Sequence, residues 1–439
     1  MNSRWRYRRL RLLKGRCAFH SAPPRSGYVR SAWVRAALLL TAAGWGANQF
    51  SSLLGAYGTH LGLASTTVTS LFAVYVVGLL PGLLLGGPIA DRFGRKPVVL
   101  GAVAVGVVGT AALMAGAVAT PWLAVGRLLT GVGTGAALAA GSAWVKELSY
   151  AGDVVDEGTG ARRAGLFLSA GFSVSGLVAA LIAQWAPHPM VIAYVPHLVL
   201  CAGALTAAVA APETRPHSLP VAASGSGLRD PRFWWLVVPV APWVFLAPSV
   251  GFGVLPGLVD GRLTGSETVY AGVATLLTPG SGVLTQPLAR RLAVGNRIVP
   301  ALAGLWAVAA GLALAVPAIV LEQPWTALCA DVLLGGGYGM LVTYCLTEVG
   351  RIAPPSRLAR LTAVFWALAY LGFCAPYVFD LLTGVATPPV IFSASAVLAL
   401  LTCLLVAARG RSARDEPDRD RQERRGADHV ERLGDPRVP

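Results

Sequence analysis

Four charged residues stand together in a part of the chain that is otherwise almost entirely apolar. They are Asp91, Arg92, Arg95 and Lys96, within the segment GGPIADRFGRKPVVL. Basic residues beside an apolar segment set the topology of a membrane protein, but an acid contributes little to topology. A carboxylate beside a helix N-terminus is stabilised by roughly 0.3–1 kcal/mol. The acid therefore indicates a structural contact in addition to a topological role.

Two glycines belong to the same segment, Gly87 before the charges and Gly94 among them. Gly87 has no side chain where another helix must come close, and Gly94 permits a tight turn. The sequence thus predicts a charged turn between two closely packed helices.

Two further charges, Arg127 and Asp331, lie inside apolar segments. At 1.5 Å per residue both would sit roughly 8–10 Å below the outer membrane face. A lone charge there costs a few kcal/mol, so it should face a watery cavity or a partner. Arg127 could instead extend its long side chain to the outer headgroups, whereas Asp331 is too short to reach as far.

Polar and aromatic residues in other apolar segments are candidates for substrate contacts. Four residues of the first span share one helical face and could hydrogen-bond a substrate, or join neighbouring helices: Trp45, Asn48, Gln49 and Ser52. Four more aromatic residues could form the walls of a binding site, or serve in packing: Tyr338, Tyr344, Trp366 and Tyr370. The sequence favours a structural role for His197.

The elements that position these residues are apolar helices. Hydrophobic residues make up 55% of the 439-residue chain and charged residues 13%, against about 25% charged in soluble domains. Apolar runs near ~20 residues recur, which is the length that crosses a bilayer as a helix. The twelve predicted spans are 33–57, 66–88, 98–118, 121–146, 162–186, 190–211, 233–257, 268–291, 298–320, 325–349, 358–382 and 388–408.

The distribution of Lys and Arg predicts the orientation. They are concentrated in the arm 1–31 and in the even-numbered connections, and only Arg262 breaks the pattern in the odd-numbered ones. The positive-inside rule therefore places both termini in the cytoplasm of a multi-pass protein of the inner (plasma) membrane. The net charge of +15 indicates attraction to anionic lipid, with no nucleic acid as partner. The arm 1–31 and the charged tail 409–439 are predicted to be disordered.

An internal repeat divides the spans into two bundles, 32–212 and 233–408, joined by a cytoplasmic linker at 213–232. PWLAVGRLLTGVGTGAAL in the fourth span matches PWTALCADVLLGGGYGML in the tenth. Three glycines of each keep a constant offset of 204 and are predicted to serve in helix packing: Gly131, Gly133, Gly135, Gly335, Gly337 and Gly339. The fold class is therefore an all-α membrane protein with twelve helices in two pseudo-symmetric six-helix bundles.

The segment from Gly87 to Lys96 is similar to the signature loop of the major facilitator superfamily. Arg127-x-x-Thr130-Gly131-x-Gly133 resembles that family's second signature. The resemblance implies that the loop acts as a cytoplasmic latch whose Asp91 faces the start of the eleventh span, at 355–357. It also implies that the fourth and tenth helices line a central cavity. Asp331 would then bind a proton or cation, and Arg127 an anion or a shuttling partner.

The resemblance further implies a monomeric secondary transporter that works by alternating access. The predicted function is proton-coupled efflux of a neutral or amphipathic small molecule. The fifth span lacks the Gly-Pro pair that antiporters of this family carry. A uniporter or symporter of a small metabolite, and a non-transporting sensor, therefore remain alternatives.

Other classes of protein lack their motifs here. The six histidines are isolated, with no HExxH spacing for a membrane enzyme, and no GxxxxGK[ST] loop indicates an ATP-driven pump. The six cysteines show neither CxxC nor Cys/His ligand spacing. The sequence predicts no enzymatic activity, no cofactor and no metal.

Overall fold

The computed structural model describes residues 26–152, 159–214, 230–353 and 358–433. These residues are helical almost throughout, and none of them forms a strand. Nine of their helices are long and apolar enough to cross a membrane. Most of the basic arm, most of the linker and residues 355–357 lie outside the described residues.

Six spans form the first half. They are α1 (Ser26–Asn48), α2 (Ser65–Phe93), α3 (Arg95–Ala115), α4 (Pro121–Gly152), α5 (Thr159–Trp185) and α6 (Val195–Val209). A 3-10 turn at Ser51–Leu53 and the helix Leu54–Leu61 continue α1, and the short helix Pro189–Ile192 precedes α6.

Six spans form the second half. They are α7 (Trp243–Gly253), α8 (Glu267–Gly295), α9 (Val299–Val320), α10 (Pro324–Ile352), α11 (Leu358–Leu371) and α12 (Pro388–Leu433). A π-helical turn at Phe233–Val237 precedes α7, and 3-10 turns at Leu255–Leu258 and Asp260–Arg262 follow it. The turn Gly372–Cys374 and the helix Ala375–Leu382 continue α11.

The predicted span 190–211 is divided by a turn at 193–194, and three further predicted spans are also interrupted: 33–57, 233–257 and 358–382. Pro242 stands directly before α7, and Pro376 stands in the first turn of the helix that continues α11. A proline has no N–H to donate and displaces the carbonyl one turn earlier, which breaks the ladder of helical hydrogen bonds. The breaks in 33–57, 233–257 and 358–382 fall in spans that contribute to the site described below.

The helix α12 continues to Leu433, within the tail 409–439 that the sequence predicts to be disordered. The disorder of the tail stays a prediction. Ala, Arg and Glu, which are frequent in the tail, have high helix propensities. A helix that leaves the membrane can therefore propagate without a new nucleation step.

The two halves repeat the same packing. In the first half α4 packs against α2, α3 and α1; in the second, α10 packs against α8, α9 and α7. The halves meet through α5 with α8 and through α2 with α11 and its continuation, which are also equivalent pairs. The twelve-helix, two-bundle architecture predicted from the sequence is therefore present.

The repeated glycines lie at these helix contacts. A Cβ on Gly131 would stand 2.2 Å from the Tyr75 carbonyl oxygen on α2, and one on Gly335 would stand 1.7 Å from the Thr278 oxygen on α8. Gly133 and Gly337 lie in the same way against the backbones of α3 and α9. Residues 204 positions apart thus touch equivalent neighbouring helices, at distances that exclude any side chain.

Candidate transport site

A cavity of about 540 Å³ opens between the two halves. It lies at the end of the molecule that carries the α1–α2, α7–α8 and α11–α12 connections. Its wall comes from the broken part of α1 and the start of α2 in one half, and from the ends of α7 and α11 in the other. We call this space the vestibule. The helix interruptions supply much of its surface.

Aromatic rings from both halves meet directly beneath the vestibule. Phe252, which lines the vestibule, lies 6.2 Å from Phe373, and Phe373 lies 5.2 Å from Phe72 of the opposite half. Phe172 also contacts Phe373, at 6.5 Å between centroids. Rings at these separations are in van der Waals contact. We call these four residues the aromatic floor.

Arg127 lies in the first half, behind the aromatic floor, and is fully buried. Its Nε donates to the Leu71 carbonyl at 3.2 Å and its Nη1 to the Ala47 carbonyl at 3.3 Å. Its guanidinium carbon lies 4.4 Å from the Tyr75 ring centroid and 4.6 Å from that of Phe50. Nη2 has no partner, and no described carboxylate pairs with this side chain.

Asp331 lies in the second half and is also fully buried, with neither carboxyl oxygen hydrogen-bonded. Its Oδ1 is 2.6 Å from the position that a Cβ on Gly251 would take, and Thr278 borders the same space. Since Gly251 directly precedes Phe252 of the vestibule wall, Asp331 lies close behind that wall. Neither Arg127 nor Asp331 belongs to the lining of the vestibule. That both line a central cavity stays a prediction.

The polar residues of α1 are engaged in bonds within the first half. Asn48 donates to the Phe172 carbonyl at 2.9 Å and accepts a hydrogen bond from Ser51 at 2.7 Å. Its side chain thus joins the end of α1 to α5 and to the 3-10 turn that follows α1. Trp45 differs, since its Nε1 is buried without a partner.

Gln49 begins a chain of hydrogen bonds that ends on His197. Gln49 Nε2 donates to Thr110 Oγ1 at 3.3 Å, and Thr110 lies 2.8 Å from His197 Nδ1. His197 Nε2 is 3.1 Å from the Ala42 carbonyl, which can only accept. Nε2 therefore carries the proton and Nδ1 accepts from Thr110. His197 joins α6 to α1 and α3, which agrees with the structural role expected from the sequence.

Three of the four aromatic candidates form one group around Phe245 of α7. Tyr370 stacks on Phe245 at 4.2 Å, Tyr338 lies at 5.8 Å and Trp366 at 6.1 Å. Phe245 also contacts Phe373 at 5.9 Å, so the group continues the aromatic floor into the second half. Tyr344 is buried but takes part in none of these contacts, and the structure therefore separates it from the other three.

The charged turn between α2 and α3 joins four helices of the first half. Arg95 pairs with Asp91 and lies 3.3 Å from Glu147 of α4. Glu213, which follows α6, accepts from the backbone N–H groups of Arg95 at 2.8 Å and Lys96 at 3.0 Å. A carboxylate thus satisfies free donors at the α3 N-terminus.

Lys96 completes the turn from the opposite side. Its ammonium donates to the carbonyls of Val209 and Ala211, at 2.7 and 3.0 Å, where α6 ends. Arg92 lies over the neighbouring Phe93 ring at 5.3 Å. The described partners of the turn are all within the first half, and its predicted contact with residues 355–357 lies outside the described residues.

Sequence reasoning missed Glu147 and Glu213 as partners of the turn. Each is an acid just after an apolar run of the first half, and that position was the available signal. The predicted close approach at Gly87 is wrong, because no described atom lies within 4 Å of a Cβ built there. Its neighbour Gly86 makes the close contact, with Ala136 of α4 2.8 Å from its Cβ position. One residue changes the helix face by about 100°.

The sequence profile of the Major Facilitator Superfamily matches residues 36–376. The chain belongs to the major facilitator superfamily. As a member of this superfamily, it is a multi-pass membrane transporter. The identity also accounts for the repeat of six helices and for the vestibule between the two halves.

Known proteins resemble this transporter to different extents. A stretch of 72 residues is 46% identical to the 3-(3-hydroxy-phenyl)propionate transporter of Escherichia coli (strain K12). This stretch is 16% of this chain and 17% of that protein. A D-xylose-proton symporter superposes with a TM-score of 0.67 and 17% identity over 87% of this chain and 96% of its own. A POT family transporter in complex with 5-aminolevulinic acid also gives 0.67, at 13% identity over 90% and 97%. At these identities the two structures establish the fold alone.

Proposed function

We propose that this protein is a proton-coupled secondary carrier that exports a small aromatic organic acid. In this proposal Arg127 binds the carboxylate of the substrate and Asp331 carries the proton. Both termini are assigned to the cytoplasm, so that the vestibule opens to the outside. The observation that carries the proposal is that, among the described residues, each half fully buries an ionisable side chain, Arg127 or Asp331, that has no ion-pair partner.

The surroundings of Arg127 suit an aromatic anion. A buried guanidinium is costly unless an anion or several acceptors satisfy it, and here Nη2 remains unpartnered. The rings of Phe50, Phe72 and Tyr75 lie 4.6, 5.8 and 4.4 Å from its guanidinium carbon. An aromatic carboxylate could pair with the guanidinium and pack its ring against these side chains.

The surroundings of Asp331 suit a proton. An ionised carboxylate without a donor or cation would cost several kcal/mol in this apolar interior. Protonation removes most of that cost, so that Asp331 is held as the neutral acid in this conformation. It can ionise only when rearrangement brings in water, which is the requirement for proton release coupled to the transport cycle.

The curated relative from Escherichia coli supports the choice of substrate class. The name of that transporter specifies an aromatic carboxylic acid, although the match covers only 17% of that protein. This substrate replaces the neutral or amphipathic compound predicted from the scarcity of cavity charges. The aromatic floor blocks the path below the vestibule, so each cycle must separate Phe72 from Phe373 as the halves move.

The test is flux in proteoliposomes with labelled 3-(3-hydroxyphenyl)propionate and an imposed pH gradient. Export against protons predicts that acidifying the vestibule side drives the label toward that side. Arg127→Gln should raise the KM for the acid by about tenfold or more, since a charged hydrogen bond contributes about 1.5–3 kcal/mol. Asp331→Asn should keep exchange of labelled for unlabelled acid but lose accumulation driven by the pH gradient.

Arg262→Gln is the matched control, since Arg262 lies exposed in a connection outside the spans. It should leave both readouts unchanged. The proposal is contradicted if the wild-type protein moves no aromatic acid, or if Asp331→Asn retains accumulation driven by the gradient. Movement of the label away from the acidified side would replace export with symport. Binding without flux would identify a sensor on the same fold.

A further inference from the structure

Three acidic side chains of the second half line the vestibule. Asp260 and Glu267 come from the α7–α8 connection and the start of α8, and Asp380 comes from the helix that continues α11. No Lys or Arg belongs to the described lining. A fourth acid, Glu322, lies next to this group, with its Oε2 3.0 Å from the Cβ position of Gly261.

No cation of the described chain pairs with these vestibule carboxylates. Asp380 accepts a hydrogen bond from Ser65 at 2.6 Å through Oδ1, while its Oδ2 is buried and unpartnered. Burial raises the pKa of Asp260, and the nearby Glu267 and Glu322 raise it further. The acids are thus close enough to influence one another without being neutralised.

A second observation shows that the space is polar below its rim. Ser52 lines the vestibule, is 2% exposed, and has no hydrogen-bond partner for its Oγ. The charged and titratable residues of the neighbouring connections are Arg262, His60 and His188, and none of them lines the vestibule. The interior of the vestibule therefore has one sign of charge.

We infer that the vestibule is charge-selective: it concentrates protons and cations above the aromatic floor and repels anions. Clefts lined by one sign of charge and bounded by low-dielectric walls enrich counter-ions by about 10-fold to 10³-fold. The consequence for transport rests on the proposed function. An exported acid would leave the vestibule quickly and rebind weakly from outside, while protons would gather near Asp331. This charge alters the rates of binding and release and leaves the driving force unchanged.

The test measures the local potential without requiring transport. Gly55→Cys places a thiol in the vestibule at an exposed position where a Cβ meets no atom within 4 Å. The control thiol is Val118→Cys, 93% exposed in the α3–α4 connection on the same face of the molecule. Both are made in a cysteine-free background. Each is treated with a trimethylammonium-ethyl and a sulfonato-ethyl methanethiosulfonate, and the ratio of the two reaction rates is compared.

The ratio of cationic to anionic rates should be about tenfold higher at Gly55→Cys than at Val118→Cys in low salt. It should fall toward the control value after D260N/E267Q/D380N, and in 1 M salt, where the screening length is about 3 Å. Equal ratios at the two positions would overturn the inference. So would an enhanced ratio that survives the triple substitution.

A second readout connects the vestibule to transport. If the protein exports an aromatic acid, D260N/E267Q/D380N should lower the KM for that acid on the vestibule side several-fold, with little change in kcat. If the thiol rates show charge selectivity but no aromatic acid is transported, the proposed substrate is rejected and the charge selectivity of the vestibule is retained. If the acid is transported but the thiol rates show no selectivity, the charge selectivity is rejected and the proposed substrate is retained.

Discussion

The turn between α2 and α3 leaves no room for a side chain at Gly94. Gly94 has φ +107° and ψ 155°, a combination that side chains rarely permit. A Cβ at this position would also lie 2.6 Å from Glu213 Oε2. The carboxylate can approach the first N–H groups of α3 only because Gly94 has no side chain. The positive φ and the nearby Glu213 carboxylate therefore both require a glycine at position 94.

Gly94→Ala should destabilise the protein by about 1–3 kcal/mol through backbone strain, and further through displacement of Glu213. The measurement is the apparent melting temperature in detergent. Gly101→Ala is the control, since Gly101 lies within α3 and no atom stands within 4 Å of its Cβ position. An equal melting temperature for the two variants would show that neither the strain nor the Glu213 contact matters.

At the scale of helices, the glycine repeat sets the distance between α10 and α8. Gly335 and Gly339 lie 1.7 and 1.9 Å, by their Cβ positions, from carbonyl oxygens of α8. The neighbouring Gly336 faces a more open space, where the nearest atom is Thr285 Cγ2 at 3.5 Å. Consecutive glycines of one helix are thus under very different steric constraints.

Gly335→Ala should lower the apparent melting temperature, since forcing extra volume into a packed interior costs about 1–3 kcal/mol and here the obstacle is backbone. Gly336→Ala should leave it unchanged or raise it, because alanine in a helix is favoured over glycine by about 0.5–1 kcal/mol. Both are compared in detergent with the wild-type protein. Destabilisation by both substitutions to the same degree would contradict the assigned contact faces.

At the scale of the whole molecule, the two halves are joined at the vestibule rim by few bonds. Ser65 of α2 donates to Asp380 of the second half, and Gln184 of α5 donates to the Gly265 carbonyl at 2.8 Å. Alternating access requires the halves to separate and close around the central site. These rim contacts should therefore change during every cycle.

A disulfide between Ser65→Cys and Asp380→Cys should block transport, because it ties the two halves together at the rim. Flux of the labelled acid is measured after oxidation with copper phenanthroline and again after reduction, which should restore it. The single-cysteine variants control for the loss of each side chain. Full activity of the oxidised, cross-linked protein would show that the rim does not move in the cycle.

Much of the fold could be predicted from the sequence, because lipid imposes few solutions on an apolar chain. Spans near 20 residues must be helical, and a repeat at an offset of 204 implies two equivalent bundles. Arg127 and Asp331 were identifiable for the same reason, since a charge inside a span is rare. Both side chains are fully buried in the structure.

The surroundings of these residues could not be predicted, because they depend on contacts between segments far apart in the chain. Gln49 is bound to Thr110, 61 residues away, and Arg95 lies beside Glu147 and Glu213, 52 and 118 residues away. The break after α11 places Phe373 between the two halves, where it contacts Phe252 and Phe72. By itself the sequence determined the number of spans, the repeat and the buried charges, since these follow from local hydropathy. The tertiary structure decided which polar groups are paired, because hydrogen bonds and close packing need distances that hydropathy does not specify.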